Sequence, residues 1–234
     1  MSLSSQPDTD YQWPVHALGK ESKRRILCDE SQFRIYHETL LQDEQHSRFY
    51  QFPNDAFVFI LKGQVYLSDN QAGLALEQYQ GSWISPDQAH KLVLLSPHLE
   101  LLIIAYQGNL APCAQALYLE SQTIENKPIT SNQIERQMLS QVESLSIELE
   151  NYPGKQTEHL HYHRQSGQFI ITLEGEMGLN VNHAEVTIEP YDWALVKAKQ
   201  RHFLKNNQTE SSLCLSIYSP PPAKDRVLVL KKND

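Results

Sequence analysis

The sequence predicts an all-β chain made of two tandem barrels or sandwiches, and three observations carry that expectation. Apolar runs are short and are separated by Gly, Pro, Asn and Asp at spacings of roughly 8–12 residues, the rhythm of strands and turns. No stretch sustains the stripe of a helix over about fifteen residues. One gap-free offset lays the first half of the chain on the second. Gly63 and Gly175 stand 112 positions apart, as do His90 and His202, Tyr106 and Tyr218, and Arg24 and Arg136. Between these anchors the texture agrees: Phe57–Leu61 falls on Phe169–Leu173, and Leu102-Ile103-Ile104 on Cys214-Leu215-Ser216. Two copies of one domain, 23–106 and 135–218, follow from this reading.

Taken in order, residues 1–22 are an N-terminal extension. Its polar start, MSLSSQPDTD, has neither a basic nor an apolar stretch of the kind a secretory signal needs. In the first copy Ala56, Val58 and Ile60 face one way and Phe57, Phe59 and Leu61 the other, so both faces of that strand are apolar. The segment 107–134 holds Pro112 and Pro128 and reads as a linker with room for an edge strand at Leu117-Tyr118-Leu119. In the second copy Leu145–Glu150 alternates with period two, and Gln168, Ile170 and Thr172 oppose Phe169, Ile171 and Leu173. Strands apolar on both faces need a layer outside their own barrel. The other copy supplies one, or a second subunit does, which makes a homodimer an expectation. Ser219–Pro222 breaks regular structure, and Arg226–Leu230 reads as a final strand packed on the opposite copy.

Composition narrows the function classes. With 234 residues, 40% hydrophobic and 21% charged, the chain can bury two cores and is not a disordered segment. A net charge of −8 with no Lys/Arg cluster excludes nucleic acid as the main partner. The longest apolar runs, such as Leu99–Ala105, fall far short of the roughly 20 residues of a membrane span. Cys28, Cys113 and Cys214 are scattered and form no C-x-x-C, so neither a disulfide framework nor a thiolate zinc site is expected. Reduced thiols in the cytoplasm are the expectation, and histidine and oxygen ligands must hold any metal.

The informative segment is 153–168. His159, His161 and His163 alternate with Leu160 and Tyr162, so on a strand all three imidazoles share one face. Gln168 opens the next strand and can offer an amide oxygen, and His202 lies on a later strand, four residues before Asn206. Three neutral imidazoles and one oxygen suit iron, nickel, manganese or zinc, with positions left open for a ligand. An exposed polar strand is the plain alternative for an isolated H-x-H-x-H.

In these residues the chain resembles the cupins. His161-x-His163, then Gln168, then Gly175 seven beyond, matches their first motif; Pro190-Tyr191-Asp192 and His202-x-x-x-Asn206 match their second. The resemblance implies jelly-roll barrels of the double-stranded β-helix type, two of them as in a bicupin, and a metal held by His161, His163, Gln168 and His202. The chain departs from the pattern where Gln168 replaces a glutamate, Asp192 a glycine and Lys197 a proline. Gly154 is also one residue further from the H-x-H than is usual, which leaves His159 as an alternative to His163; counting back from Gly175 favours His163. At the 112 offset the first copy has Phe49 for His161, Gln51 for His163 and Ala56 for Gln168, so only His90 persists and one metal ion per chain is expected.

A neutral Gln168 leaves a divalent ion its full charge, which favours an anionic ligand. Arg164, Lys197, Lys199 and Arg201 flank the ligand strands and would attract one. His159 and Glu158 are the nearest candidate catalytic proton carriers. No Ser or Cys nucleophile stands with a base, and there is no phosphate-binding glycine loop. Three readings follow: a metal-dependent enzyme on a small oxygen-rich anion (a dioxygenase, a sugar-phosphate isomerase or a lyase), a non-catalytic binding or sensing module, or a structural double barrel. The short segments outside the repeats leave little room for a helix-turn-helix, so a DNA-binding regulator is not the expectation.

Overall fold

A computed structural model describes residues 15–70, 72–87, 89–108, 133–222 and 225–229. The strand expected at Leu117–Leu119, and Cys113, lie outside them. Cys28 and Cys214 are buried and form no disulfide. The described residues contain no helix, and so none long and apolar enough to cross a membrane.

The chain divides into two compact units. The first carries β1 (Val15–Ala17), β2 (Lys23–Asp29), β3 (Phe33–Leu41), β4 (Ser47–Tyr50), β5 (Ala56–Lys62), β6 (Val65–Ser68), β7 (Gly73–Leu76), β8 (Gly81–Ile84), β9 (His90–Leu94) and β10 (His98–Tyr106). The second carries β11 (Glu135–Val142), β12 (Leu145–Tyr152), β13 (His161–His163), β14 (Gly167–Glu174), β15 (Met177–Val181), β16 (Ala184–Ile188), β17 (Trp193–Val196), β18 (His202–Lys205), β19 (Ser212–Ser219) and β20 (Arg226–Leu228).

Each unit is a pair of antiparallel sheets. In the first they run β1-β2-β3-β10-β5-β8 and β4-β9-β6-β7; in the second, β11-β12-β19-β14-β17 and β16-β15-β18-β13-β20. Strand for strand, β2–β10 repeat as β11–β19 in the same sheet order, so the duplication read from the sequence is a duplication of jelly-roll topology. The first unit adds β1 at one sheet edge, and the second adds β20.

The one-number offset is local, however. Arg24 pairs with Glu38 as Arg136 pairs with Glu150, and Ala56 pairs with Ile84 as Gln168 pairs with Val196, all 112 apart. On β4 the offset fails. Tyr50, not Phe49, lies opposite His90, whereas His161 lies opposite His202. The counterparts of His161 and His163 are therefore Tyr50 and Phe52, and the expected Phe49 is exposed on the other face. On β10 the slip runs the other way: Ala56 pairs with Ala105, whereas Gln168 pairs with Tyr218. Tyr106 is thus no counterpart of Tyr218; it faces out of its barrel, edge-on to Trp83. Connections that differ by one residue cause both slips, because a one-residue shift in a strand turns every side chain to the other face.

Both glycines that anchor the repeat sit in the turn that carries the chain from one sheet of their barrel to the other, in the left-handed region, Gly63 at φ 93° and Gly175 at φ 71°. A Cβ on Gly175 would also meet the Ser212 hydroxyl. Gly175→Ala is expected to cost at least about 1–2 kcal/mol, the penalty of a left-handed residue bearing a Cβ; a shift in the denaturant midpoint measures it.

The barrel interiors differ. The first is filled by Ala56, Val58, Ile60, Leu67, Leu92, Leu101, Ile103 and their neighbours, all buried. In the second, Ile170, Met177, Leu179, Val196 and Leu204 fill one part, and the rest of the lining is polar. The outward rows Phe57-Phe59-Leu61 and Phe169-Ile171-Leu173 are buried as well.

The last strand corrects an expectation. Instead of packing on the opposite copy, β20 pairs with β13 of its own barrel, Arg226 opposite His163 and Leu228 opposite His161. Because β13 touches β18 only at the His161–His202 pair, its other edge needs a partner. Asp225 fixes the return by accepting hydrogen bonds from the Gln165 and Ser166 amides and the Ser166 hydroxyl.

Candidate metal centre

The alternation of β13 turns His161 and His163 into the second barrel, where they are 2% and 4% exposed. The turn after Val196 brings in the third imidazole. Lys199 adopts φ 67° there and donates its amide to the His163 carbonyl at 2.7 Å, so that β18 starts at His202 beside β13. The ligand nitrogens of His161, His163 and His202 all lie within 4.8 Å of one another, the single histidine-centred cluster among the described residues. Donors on opposite sides of an ion with roughly 2.1 Å bonds stand at roughly 4.2 Å, so small side-chain movements suffice to close a coordination sphere.

Hydrogen bonds orient the rings. Nδ1 of His161 lies 2.9 Å from the His159 carbonyl, and Nδ1 of His202 lies 2.9 Å from the Gln200 carbonyl. A carbonyl only accepts, so Nδ1 carries the proton and Nε2 turns a bare lone pair inward. For the same reason Arg226 Nη2, 3.2 Å from His161 Nδ1, is a charge beside that ring and not a hydrogen-bond donor to it. Burial, with the neighbouring His202 and Arg226, pushes His161 down to about 2. Burial and His202 push His163 to about 4, and burial lowers His202. All three are neutral near pH 7, the form that ligates metal.

Two polar contacts inside the cluster lack a protein solution. Neither ring nitrogen of His163 has a hydrogen-bond partner, although both are buried. His202 Nε2 lies 3.1 Å from Gln168 Oε1, so two lone pairs face each other. A cation bound to both would satisfy them, and the residues present therefore fit a divalent metal.

Gln168 sits on the inner face of β14, 2% exposed. Its Nε2 donates to the Tyr218 hydroxyl at 2.9 Å and the Ser216 hydroxyl at 3.2 Å. Both hydroxyls donate in turn to Glu150, Tyr218 to Oε1 at 3.1 Å and Ser216 to Oε2 at 2.8 Å. Tyr152 donates to Oε2 at 3.1 Å, and Arg136 Nε to Oε1 at 2.8 Å. Burial first, then the Glu150 charge, hold the Tyr152 and Tyr218 phenols well above their ordinary value, so both remain donors.

The other sequence expectations land elsewhere. His159 is exposed, and it contributes its carbonyl rather than its ring. The Glu158 carboxylate is bound by Arg136 at 2.6 Å and Arg226 at 3.1 Å, and it accepts from the Leu204 amide. Asn206 is a turn former: its Nδ2 donates to the Tyr152 and Glu210 carbonyls and its Oδ1 accepts from Gln208. Arg164, Lys197, Lys199 and Arg201 are exposed. His90 is buried in the first barrel, where its Nε2 accepts from the Ser85 amide.

Sequence reasoning missed Glu150, Tyr152, Ser216, Tyr218 and Arg226 as parts of the site. One signal was present: Glu38 and Glu150 share the 112 spacing of Arg24 and Arg136. The period-two run Leu145–Glu150 also carried information, because its polar row, Ser146, Glu148 and Glu150, lines the barrel and is buried instead of facing water.

The comparisons with known proteins agree with this architecture. Residues 148–218 match the model of the Cupin domain family. No curated protein matches the chain. Among solved structures, oxalate decarboxylase from Bacillus subtilis at pH 4.6 superposes with a TM-score of 0.69 at 10% identity, over 97% of this chain and 80% of its own. Another structure of that enzyme is described by its Mn(II) centres. The formate complex of oxalate decarboxylase from Lactobacillus farciminis gives 0.64 at 10% identity, over 93% and 86%. A cupin 2 conserved barrel domain protein from Leptotrichia buccalis gives 0.62 at 13% identity, over 88% and 92%. Residues 148–218 form a cupin domain, and the chain as a whole shares the two-barrel, all-β fold of these structures.

Proposed function

We propose that the second barrel binds one divalent metal ion, iron, nickel, manganese or zinc, through His161, His163, His202 and Gln168. There it acts on a small, oxygen-rich anion as an oxygenase, isomerase or lyase. The observation that carries this reading is the convergence of three buried, neutral imidazoles, one of which, His163, has no hydrogen-bond partner at either ring nitrogen. When bound, the ion supplies Lewis acidity toward a chelating oxygen ligand.

The chain's own residues supply the rest. The His159 and Gln200 carbonyls hold two imidazoles in the ligating tautomer. Gln168 adds an oxygen without a charge, Arg136 pairs with Glu150, and Arg226 pairs with Glu158. The site therefore keeps the positive charge of the ion, which supports an anionic ligand. Of the two expected proton carriers, Glu158 is committed to two guanidinium groups and the His159 ring is exposed, so neither is assigned proton exchange. The filled first barrel is a scaffold. The protein is expected to work in the cytoplasm, with a homodimer as its assembly.

Protein purified without a metal-affinity tag should contain one divalent ion per chain by elemental analysis. The loaded protein should turn over at least one member of a panel of dicarboxylates, keto acids and sugar phosphates, or consume oxygen with it. Metal without turnover would assign a binding module, and no metal would reject the reading.

A further inference from the structure

We propose that Glu150 is a positioning residue of the metal centre, deciding which end of the Gln168 amide faces the three histidines. This rests on the metal reading above and extends it beyond the residues that touch the ion. An amide presents either an oxygen that binds a cation or an NH2 that repels one, and nothing in Gln168 itself selects between them.

The selection comes from behind. Paired with Arg136, the Glu150 carboxylate can only accept, and four donors reach its two oxygens: Arg136, Tyr152, Ser216 and Tyr218. A hydroxyl has one proton. With theirs given to Glu150, Ser216 and Tyr218 can only accept from Gln168, which must turn Nε2 toward them. Oε1 is left pointing at His202. The order of donors runs one way from Gln168 through the hydroxyls to the carboxylate, and reversing it would leave Glu150, which is fully buried, short of two hydrogen bonds.

The first barrel separates this role from a scaffold role. It keeps the same cross-strand pair, Arg24 with Glu38, and caps it with the Tyr50 hydroxyl. It has Ala56 in place of Gln168, and Ile103 and Ala105 in place of Ser216 and Tyr218. The charge pair thus belongs to both barrels, and the hydroxyl bridge to an amide belongs to one.

The test is calorimetric titration of metal-free protein with Mn2+ alone. Glu150→Gln, whose amide can donate to the hydroxyls and so release the Gln168 flip, is expected to weaken binding about 10- to 100-fold, the usual effect of a group behind a metal ligand. Glu38→Gln, the matching change in the first barrel, should leave the affinity unchanged. Adding Gln168→Glu to Glu150→Gln should restore binding, because the two oxygens of a carboxylate are equivalent and need no orienting. The proposal is overturned by full affinity in Glu150→Gln, by an equal loss in Glu38→Gln, or by no rescue in the double variant. If circular dichroism shows Glu150→Gln unfolded, Tyr218→Phe decides: weaker binding supports the proposal and unchanged binding overturns it. A wild-type protein that takes up no Mn2+, Zn2+, Fe2+ or Ni2+ would instead reject the metal reading itself.

Discussion

Replacing His161 and His202 together by alanine is expected to bring the metal content of the purified protein to background. The pair supplies two of the three imidazoles, and the ring–ring separation between them, 4.3 Å, is the shortest in the cluster. What remains, His163 and the neutral Gln168, is one nitrogen and one amide oxygen, too few donors for a divalent ion at physiological concentrations. The fold should survive, since the ring hydrogen bonds lost go only to the His159 and Gln200 carbonyls. Far-UV circular dichroism should match the wild type. His90→Ala is the control: that imidazole stands without the others in the first barrel, and its loss should leave metal content unchanged. A double variant that retains full metal would show that the ion sits elsewhere.

The largest expected effect on stability is at Arg136. Its guanidinium bridges two carboxylates, Glu150 at 2.8 Å and Glu158 at 2.6 Å, and the Glu150 side chain has no exposed surface. Removing one partner of a buried pair leaves a charge with neither water nor counterion, which typically costs about 3–5 kcal/mol. Arg136→Ala should fall at about 3 kcal/mol, the low end, because the guanidinium is a third exposed and three hydroxyls still donate to Glu150. Urea unfolding, followed by the fluorescence of Trp193 in the second unit, would measure it. Arg136→Lys should recover only part of the loss, since a single ammonium cannot reproduce the planar fork that reaches two acids. A cost below about 1 kcal/mol, the level of an exposed pair, would mean that Glu150 is not held by Arg136 as described.

Much of this architecture was legible in the residues. Strand parity told inside from outside on β5 and β14, and the Gly63/Gly175 spacing marked equivalent left-handed turns. The H-x-H of β13 and the distant His202 did meet. The failures have a common cause. Matching residues at a single offset assumes equal loop lengths, and the connections around β4 and before β10 each differ by one residue between copies. Identity at one offset then paired Tyr218 with Tyr106, which faces the opposite way, and hid Tyr50 as the counterpart of His161. Glu150 was hidden for a different reason. A polar row on an alternating strand normally faces water, and only three-dimensional closure shows it turned inward against hydroxyls contributed by β19. The destination of β20 was equally out of reach, because which open edge a tail completes depends on where the edge lies in space.

The most direct measurement is anomalous diffraction from crystals of the protein loaded with Mn2+ or Zn2+, collected at the metal edge. The account requires one peak per chain, inside the second barrel, bonded to Nε2 of His161 and His202, a ring nitrogen of His163 and Oε1 of Gln168. A peak bound through Gln168 Nε2, a second peak beside His90, or a loaded crystal with no peak among the three histidines would contradict it.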